Sequence, residues 1–295
     1  MLISFLKNLN INFKYLNLNY FCLLLSIVFI LNVASCKKAS NIFSNNKFLL
    51  KGKIQPSIVI WLWDRHIDLS SLSYYDEKKL RNLEFAYLVG TLIIEKDEVK
   101  FYPNLHFPAL PSIYYKHPVI LVIRVINKER KFVFYFKQRR YEKILTQYIY
   151  NICAQNKWRE FSNIIGCQID FDFRNYEKKF VYKVTKNLKK LLANKIISLN
   201  IAPSWCYDNN FLTNLNLDEI VPMLYSKNGN LGLTFLLKEE KISPLCKRSV
   251  GIIIDDLKNL SLDGNNIVFN KIYIWGLNLE NLKKFIFLIK KLNLN

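Results

Sequence analysis

The chain has 295 residues, 51% of them hydrophobic, only 8 glycines and a formal net charge of +20. That balance excludes a disordered or collagen-like chain and supplies enough apolar surface for one large core. The charge is spread along the sequence and accompanies 33 asparagines, the bias of an AT-rich coding sequence, so it does not by itself announce a nucleic-acid partner.

The N-terminus carries Lys7 and Lys14 with no acidic residue, then an apolar run from Tyr20 to Leu31, then Val33-Ala34-Ser35-Cys36. A basic start, a short apolar stretch and small residues describe a secretory signal over 1–35. Small residues directly before a cysteine resemble the lipobox of bacterial lipoproteins, which makes Cys36 the expected lipid attachment. The apolar run of 12 residues is short of the roughly 20 that span a bilayer, so a retained membrane helix is the weaker alternative. Residues 36–53 read as a lipidated cysteine and a polar tether, and 54–295 as a single domain.

Within that domain, β-branched apolar runs recur with helical or loop segments between them. Strands are predicted near Ile58–Trp63, Phe85–Ile94, Val119–Ile126, Ile164–Asp172, Ile196–Ala202, Glu219–Tyr225, Val250–Asp255 and Lys271–Trp275. Helices are predicted over Asp76–Leu83, Arg140–Asn156, Tyr176–Asn194 and Leu279–Leu292, with a short turn at Asn209–Leu215. In Tyr176–Asn194, Phe180, Val184, Leu188, Leu191 and Leu192 recur at helical spacing opposite lysines, so this helix should cover a sheet. The run Val99–Tyr102 is expected to fold back on the second strand. Eight strands alternating with helices fit an α/β fold, a (β/α)8 TIM-like barrel, with an open doubly wound sheet as the alternative.

The densest basic runs, KERK at Lys128–Lys131 and KQRR at Lys137–Arg140, read as a solvated loop and a helix start. No nucleic-acid role is expected, although the charge could hold the domain near anionic lipid or glycan. Cys206 and Cys246 lie after strands or in loops and are expected to pair as a disulfide outside the cytoplasm. Cys153, on a helix, and Cys167, on the outward face of the next strand, read as small buried thiols. His66, His106 and His117 are scattered, and no HExxH, CxxC or glycine-rich phosphate loop occurs, so neither metal nor cofactor is expected.

The most informative segment is GCQIDFDF, Gly166–Phe173. In a strand, Gln168, Asp170 and Asp172 share one face while Cys167, Ile169, Phe171 and Phe173 take the other. Carboxylates on a strand face are costly to bury without compensation, and barrels gather function where their strands end. Also expected at that end are Asp64 and Arg65, Arg124, Trp205 and Asp208, Met223 and Tyr225, Asp255 and Asp256, and Trp275. Acids beside flat aromatic faces suit sugar chemistry. The expected catalytic acids are Asp170, Asp172 and Asp255, and the expected substrate-binding residues are Arg65, Arg124, Trp205, Asp208, Tyr225 and Trp275. Asp170 and Asp172 should titrate as a coupled pair, with Asp172 the working group and Asp170 its modulator. Plainer roles stand beside these: ion pairs of the aspartates with Arg124 or Arg65, and packing for Trp205, Tyr225 and Trp275.

The Asp-x-Asp of this strand resembles the D-x-D-x-E signature of chitinase-like glycosidases, whose last acid donates the proton. Here that position is Arg174, so the donor is not identifiable from sequence. Together, WLWDR (Trp61–Arg65), GCQIDFDF, IAPSWC (Ile201–Cys206), LDEIVPMLY (Leu217–Tyr225), PLCKRSVGIIIDD (Pro244–Asp256) and KIYIWG resemble an uncharacterised bacterial family, domain of unknown function 3142. The resemblance implies an exported or lipid-anchored, glycosidase-like barrel without an established activity. It points to Asp170, Asp172, Trp205, Cys206, Cys246 and Asp255. Two functions follow as expectations. One is a lipid-anchored glycoside-hydrolase-like protein acting on or binding an envelope glycan; the other is a non-catalytic envelope lipoprotein whose degenerate barrel binds glycan or a protein partner.

Overall fold

The computed structural model describes residues 56–63, 83–104, 117–154, 163–224, 241–255, 269–277 and 285. All belong to the unit Ile54–Asn295. The expected signal, Cys36 and its tether lie outside them, as do Asp64, Arg65, Tyr225, Asp256 and the helices expected at Asp76–Leu83 and Leu279–Leu292, apart from Phe285 and from Leu83, which begins a strand instead.

The described residues form nine strands: β1 Ser57–Leu62, β2 Leu83–Glu95, β3 Glu98–Pro103, β4 Val119–Asn127, β5 Ile164–Asp172, β6 Ile196–Ile201, β7 Glu219–Pro222, β8 Ser249–Ile253 and β9 Lys271–Trp275. Eight of them run parallel in the order β7-β6-β5-β4-β2-β1-β9-β8. The ring closes between its ends through a parallel bridge from Met223 to Gly251 and the Leu224 N–H bonded to the Gly251 carbonyl at 2.8 Å. This is the TIM-like barrel that the strand count predicts.

β3 stands outside the ring as the antiparallel partner of β2, turning back through Lys96 and Asp97. Both have positive φ, 47° and 69°, as a two-residue hairpin turn requires.

Among the described residues, three helices return the chain between strands: α1 Lys131–Ala154, α2 Lys178–Leu191 and α3 Asn209–Leu215. In α1, Phe134, Tyr141, Leu145, Ile149 and Ile152 are buried at helical spacing. In α2, Phe180, Val181, Val184 and Leu188 are buried. These residues and the outward faces of the strands form one continuous core between sheet and helices. α1 begins nine residues before the predicted Arg140. Its opening FVFYF has the aromatic content of a strand, and its first turn carries no acidic residue to mark a helix start. The expected Leu191 contact is also absent, because α2 ends there and leaves that side chain exposed.

The outer layer is cross-linked twice. Cys206 pairs with Cys246 as expected. Cys153 and Cys167 are also a disulfide rather than the free buried thiols expected from sequence. The last turn of α1 lies on the outward face of β5, which brings the two Cα atoms to 6.2 Å, within disulfide reach.

The interior is filled from the N-terminal end upward. Lys271 Nζ donates to Glu84 Oε2 at 2.6 Å, and Glu219 accepts from Ser249 Oγ and the Tyr273 hydroxyl, each at 2.6 Å. Above this floor lies an apolar layer of Val59, Trp61, Ala86, Ile120, Val122, Val221 and Tyr273. The Trp61 ring crosses the lumen from β1, and its Nε1 donates to Gln168 Oε1 on β5 at 2.6 Å. On the far side the ring meets β8 at Gly251, where an added Cβ would stand 2.6 Å from it. A side chain there would displace the tryptophan, so the glycine makes room for the plug.

Candidate site at the barrel mouth

Because Trp61 and its layer plug the lumen, any pocket belonging to the barrel begins above them, at the C-terminal ends of the strands. The parallel register sets Arg124 of β4 beside Asp170 of β5 and Asp170 beside Asn200 of β6, and places Asp172 one inward step higher. Strand periodicity therefore delivers all four side chains to the lumen side.

Arg124 organises the cluster. Its Nη2 donates to Asp172 Oδ2 at 3.1 Å, and its Nε lies 3.7 Å from Asp170 Oδ2. The guanidinium also sits over the Trp63 ring, 5.7 Å from its centroid. The two aspartates occupy different environments. Asp170 is 4% exposed, whereas the Asp172 side chain is 60% exposed. Burial pushes the Asp170 carboxyl up to about 6 from an ordinary 3.8, against the opposing pull of Arg124. The Asn200 amide lies against Asp170 outside strict hydrogen-bond geometry and pulls the same way as the arginine, while the Asp172 charge adds to the rise. Near neutral pH the inner aspartate thus keeps part of its proton, and the outer one, paired with Arg124, faces solvent.

The mouth carries unspent hydrogen-bonding capacity. Among the described residues, Trp63 Nε1 and Arg124 Nε are buried without a hydrogen-bond partner. Ordered water or a bound polar molecule would satisfy such donors. Met223, Trp63 and Trp275 pack on the inner layer from above and are each partly open. Asp255, just beyond β8, is exposed at the same end. Arg174, at the position of the proton donor in the D-x-D-x-E pattern, is exposed as well.

The structure therefore brings Arg124, Asp170, Asp172, Trp275 and Asp255 to the mouth end, Asp255 by its place in the chain after β8. Trp205 and Asp208 go elsewhere. Trp205 is 3% exposed, packed edge-on against Phe211 with Lys178 over its ring, in the layer between sheet and helices. It has no free face on which a sugar could stack. Asp208 caps α3 by accepting from the Phe211 N–H at 3.1 Å and pairs with Lys178 Nζ at 3.0 Å. The Lys178 hydrogen bond, and then the backbone one, hold its carboxyl below the usual range.

Three residues were missed by sequence reasoning: Ser198, level with Gln168 in the plugged part of the lumen, and Asn200 and Glu177 at this end. Ser198 and Asn200 alternate in the strand IISLNI as Gln168 and Asp170 do in theirs, and that shared period of two was the available signal. Glu177 is buried, accepts the Arg174 N–H at 2.5 Å and also accepts from the Asn127 amide. Burial raises its carboxyl, and these two hydrogen bonds oppose the rise. It holds the turn that carries Arg174. The signal was a glutamate three residues into a segment that opens an amphipathic helix.

A concavity of about 520 Å³ lies outside the barrel, between α1 and α2, lined by Arg139, Glu142, Lys143, Lys183, Asn187 and Lys190 among others. It is remote from the aspartates in the fold and holds none of the mouth residues.

No protein-family model matches the chain, and no curated protein matches it. Among solved structures it is similar to a family 18 chitinase from Crocus vernus, with TM-score 0.47 and 10% identity over 81% of this chain and 99% of the other. It is also similar to the ICChI chitinase from Ipomoea carnea, with TM-score 0.49 and 11% identity over 80% and 99%. A third is a fungal endo-beta-N-acetylglucosaminidase from glycosyl hydrolase family 18, with TM-score 0.47 and 13% identity over 81% and 98%. These likenesses concern the path of the chain, and the reading of the mouth rests on its own residues.

Proposed function

We propose that this chain is an exported, lipid-anchored, glycoside-hydrolase-like barrel of the domain of unknown function 3142 type that binds a glycan of the cell envelope at its mouth. The observation that carries this reading is the Arg124 cluster. A solvent-facing carboxylate, Asp172, is held by an arginine that stacks on Trp63, beside buried donors without partners and the partly open Trp275. Sugars need charged or polar groups for their hydroxyls and flat apolar faces for their rings, and both kinds converge here. Two disulfides support export, because such bonds persist outside the reducing cytoplasm. The Val-Ala-Ser-Cys sequence ending at Cys36 supports acylation at that residue.

Binding is favoured over hydrolysis by charge. The position where a D-x-D-x-E enzyme places its proton donor carries Arg174, and Asp172 is ion-paired with Arg124. Hydrolysis has one observation in its favour: the Asp170 carboxyl is raised to about 6, toward neutral pH, the direction a general acid requires. Asp255 would then be the candidate second acid.

Screening the full chain against an envelope-glycan library separates the readings. Retention of a glycan by the wild type, lost in Asp172→Asn and without release of shorter sugars, is the expected result. Release of sugars that Asp170→Asn abolishes would establish hydrolysis instead. Retention unchanged by Asp172→Asn, or no retention at all, would reject the mouth as a glycan site.

A further inference from the structure

The N-terminal third of α1 presents an aromatic face to solvent. Phe132 and Phe136 are 72% and 74% exposed, and Tyr135 is also exposed. Their spacing puts all three on one side of the helix, opposite the buried Phe134 and Tyr141. Exposed phenylalanines one turn apart are unusual for a face meant to meet only water, and these two touch edge to face with centroids 4.6 Å apart.

The charge around them is mainly positive. Lys128, Arg130, Lys131, Lys137, Arg139 and Arg140 lie within 128–140, with Glu129 the single acid of that stretch. Glu129 is turned to the backbone, accepting from the Asp97 N–H at 2.7 Å. Some of the cations are engaged: Lys137 with Asp97, Lys128 with Glu95, and Lys131 over the Tyr176 ring. Arg130, Arg139 and Arg140 are exposed and form no ion pair among the described residues. In the adjoining groove between α1 and α2, Lys143 and Lys190 extend the same sign, while Lys183 pairs with Glu142 at 3.7 Å.

We propose that this face docks the domain onto an anionic lipid bilayer. Phenylalanine side chains ringed by unpaired arginines match the two layers of such a surface, with aromatic rings entering the acyl boundary and guanidinium groups meeting the headgroup phosphates. The tilted phenylalanine pair offers no shared flat plane for a sugar ring, which favours lipid over carbohydrate as the occupant. α1 leaves β4 at the barrel end that carries Asp172, so docking would set the mouth at the membrane surface. The inference does not depend on acylation at Cys36 or on the glycan reading.

The test uses the full chain with both disulfides closed and Cys22→Ser, Cys36→Ser and Val133→Cys, labelled at position 133 beside the intact phenylalanine pair with a polarity-sensitive fluorophore. Unilamellar vesicles of phosphatidylglycerol and phosphatidylcholine should blue-shift the label, and vesicles of phosphatidylcholine alone should not. Arg139→Gln with Arg140→Gln should weaken the apparent vesicle affinity about 30-fold, from about 1 kcal/mol for each cation near the surface. No shift with the anionic vesicles, an equal shift with the zwitterionic ones, or a shift produced by soluble glycan without vesicles would each overturn the proposal. Removing Cys36 keeps the outcome separate from the lipid-anchor reading.

Discussion

Asp170 couples the site to the stability of the molecule. Its carboxyl titrates near 6 in the folded protein and near 3.8 in the unfolded chain, so between those values the folded state binds more protons. Folding stability must then fall as pH rises from about 4 through about 6, by roughly 3 kcal/mol for this group alone. Below about 4 the proton is bound in both states and the penalty vanishes. Asp170→Asn removes the titration. Urea denaturation of wild type and variant at pH 4 and pH 7 should show the variant gaining on the wild type by that order of magnitude at the higher pH. An unchanged difference between the two would mean that the carboxyl is solvated in place. The residue pairing is legible from GCQIDFDF, since period two puts both aspartates on one face. The division of labour is not legible, because it depends on how far up the lumen each one stands. Asp170 lies in the Arg124–Asn200 ring, and Asp172 is one step nearer the solvent.

Among the elements, strands were far more legible than the segments that join them. Each predicted strand matches an observed one to within a few residues, because apolar β-branched runs buried on both faces leave a strong local trace. The start of α1 was hidden by FVFYF, whose aromatic content suits either structure until tertiary packing decides. Trp205 defeated the sequence for a different reason. It falls in the 3₁₀ turn Pro203–Tyr207, where no periodicity says whether a ring points to the mouth or to the helices. Disulfide connectivity is also non-local. The Cys153–Cys167 bond depends on α1 folding back over β5 and closes a short loop, while Cys206–Cys246 closes a longer one, with sequence separations of 14 and 40. By loop-closure entropy, replacing the first pair with alanine should cost roughly 3 kcal/mol and replacing the second roughly 4 kcal/mol. Denaturation of the two double variants should rank them in that order. Equal stability of both with wild type would show that the bonds restrain little of the unfolded chain.

At the scale of the whole molecule, a sealed barrel leaves one functional end. The polar floor of Glu84, Lys271 and Glu219 and the Trp61 plug close the lumen from below. The aspartates, Arg124, Trp63 and Trp275 gather above the plug, and the aromatic face of α1 flanks the same end. Exported and docked as proposed, the domain would hold its mouth where glycans are built or held at the membrane surface. The central claim is that the mouth, and not the outer surface, receives the sugar. A crystal structure of the full chain soaked with a fragment of whichever glycan it retains tests this most directly. The account predicts a sugar against Asp172 and Arg124, with a ring facing Trp63 or Trp275. Density confined to the basic groove between α1 and α2, with the mouth holding only water, would contradict it.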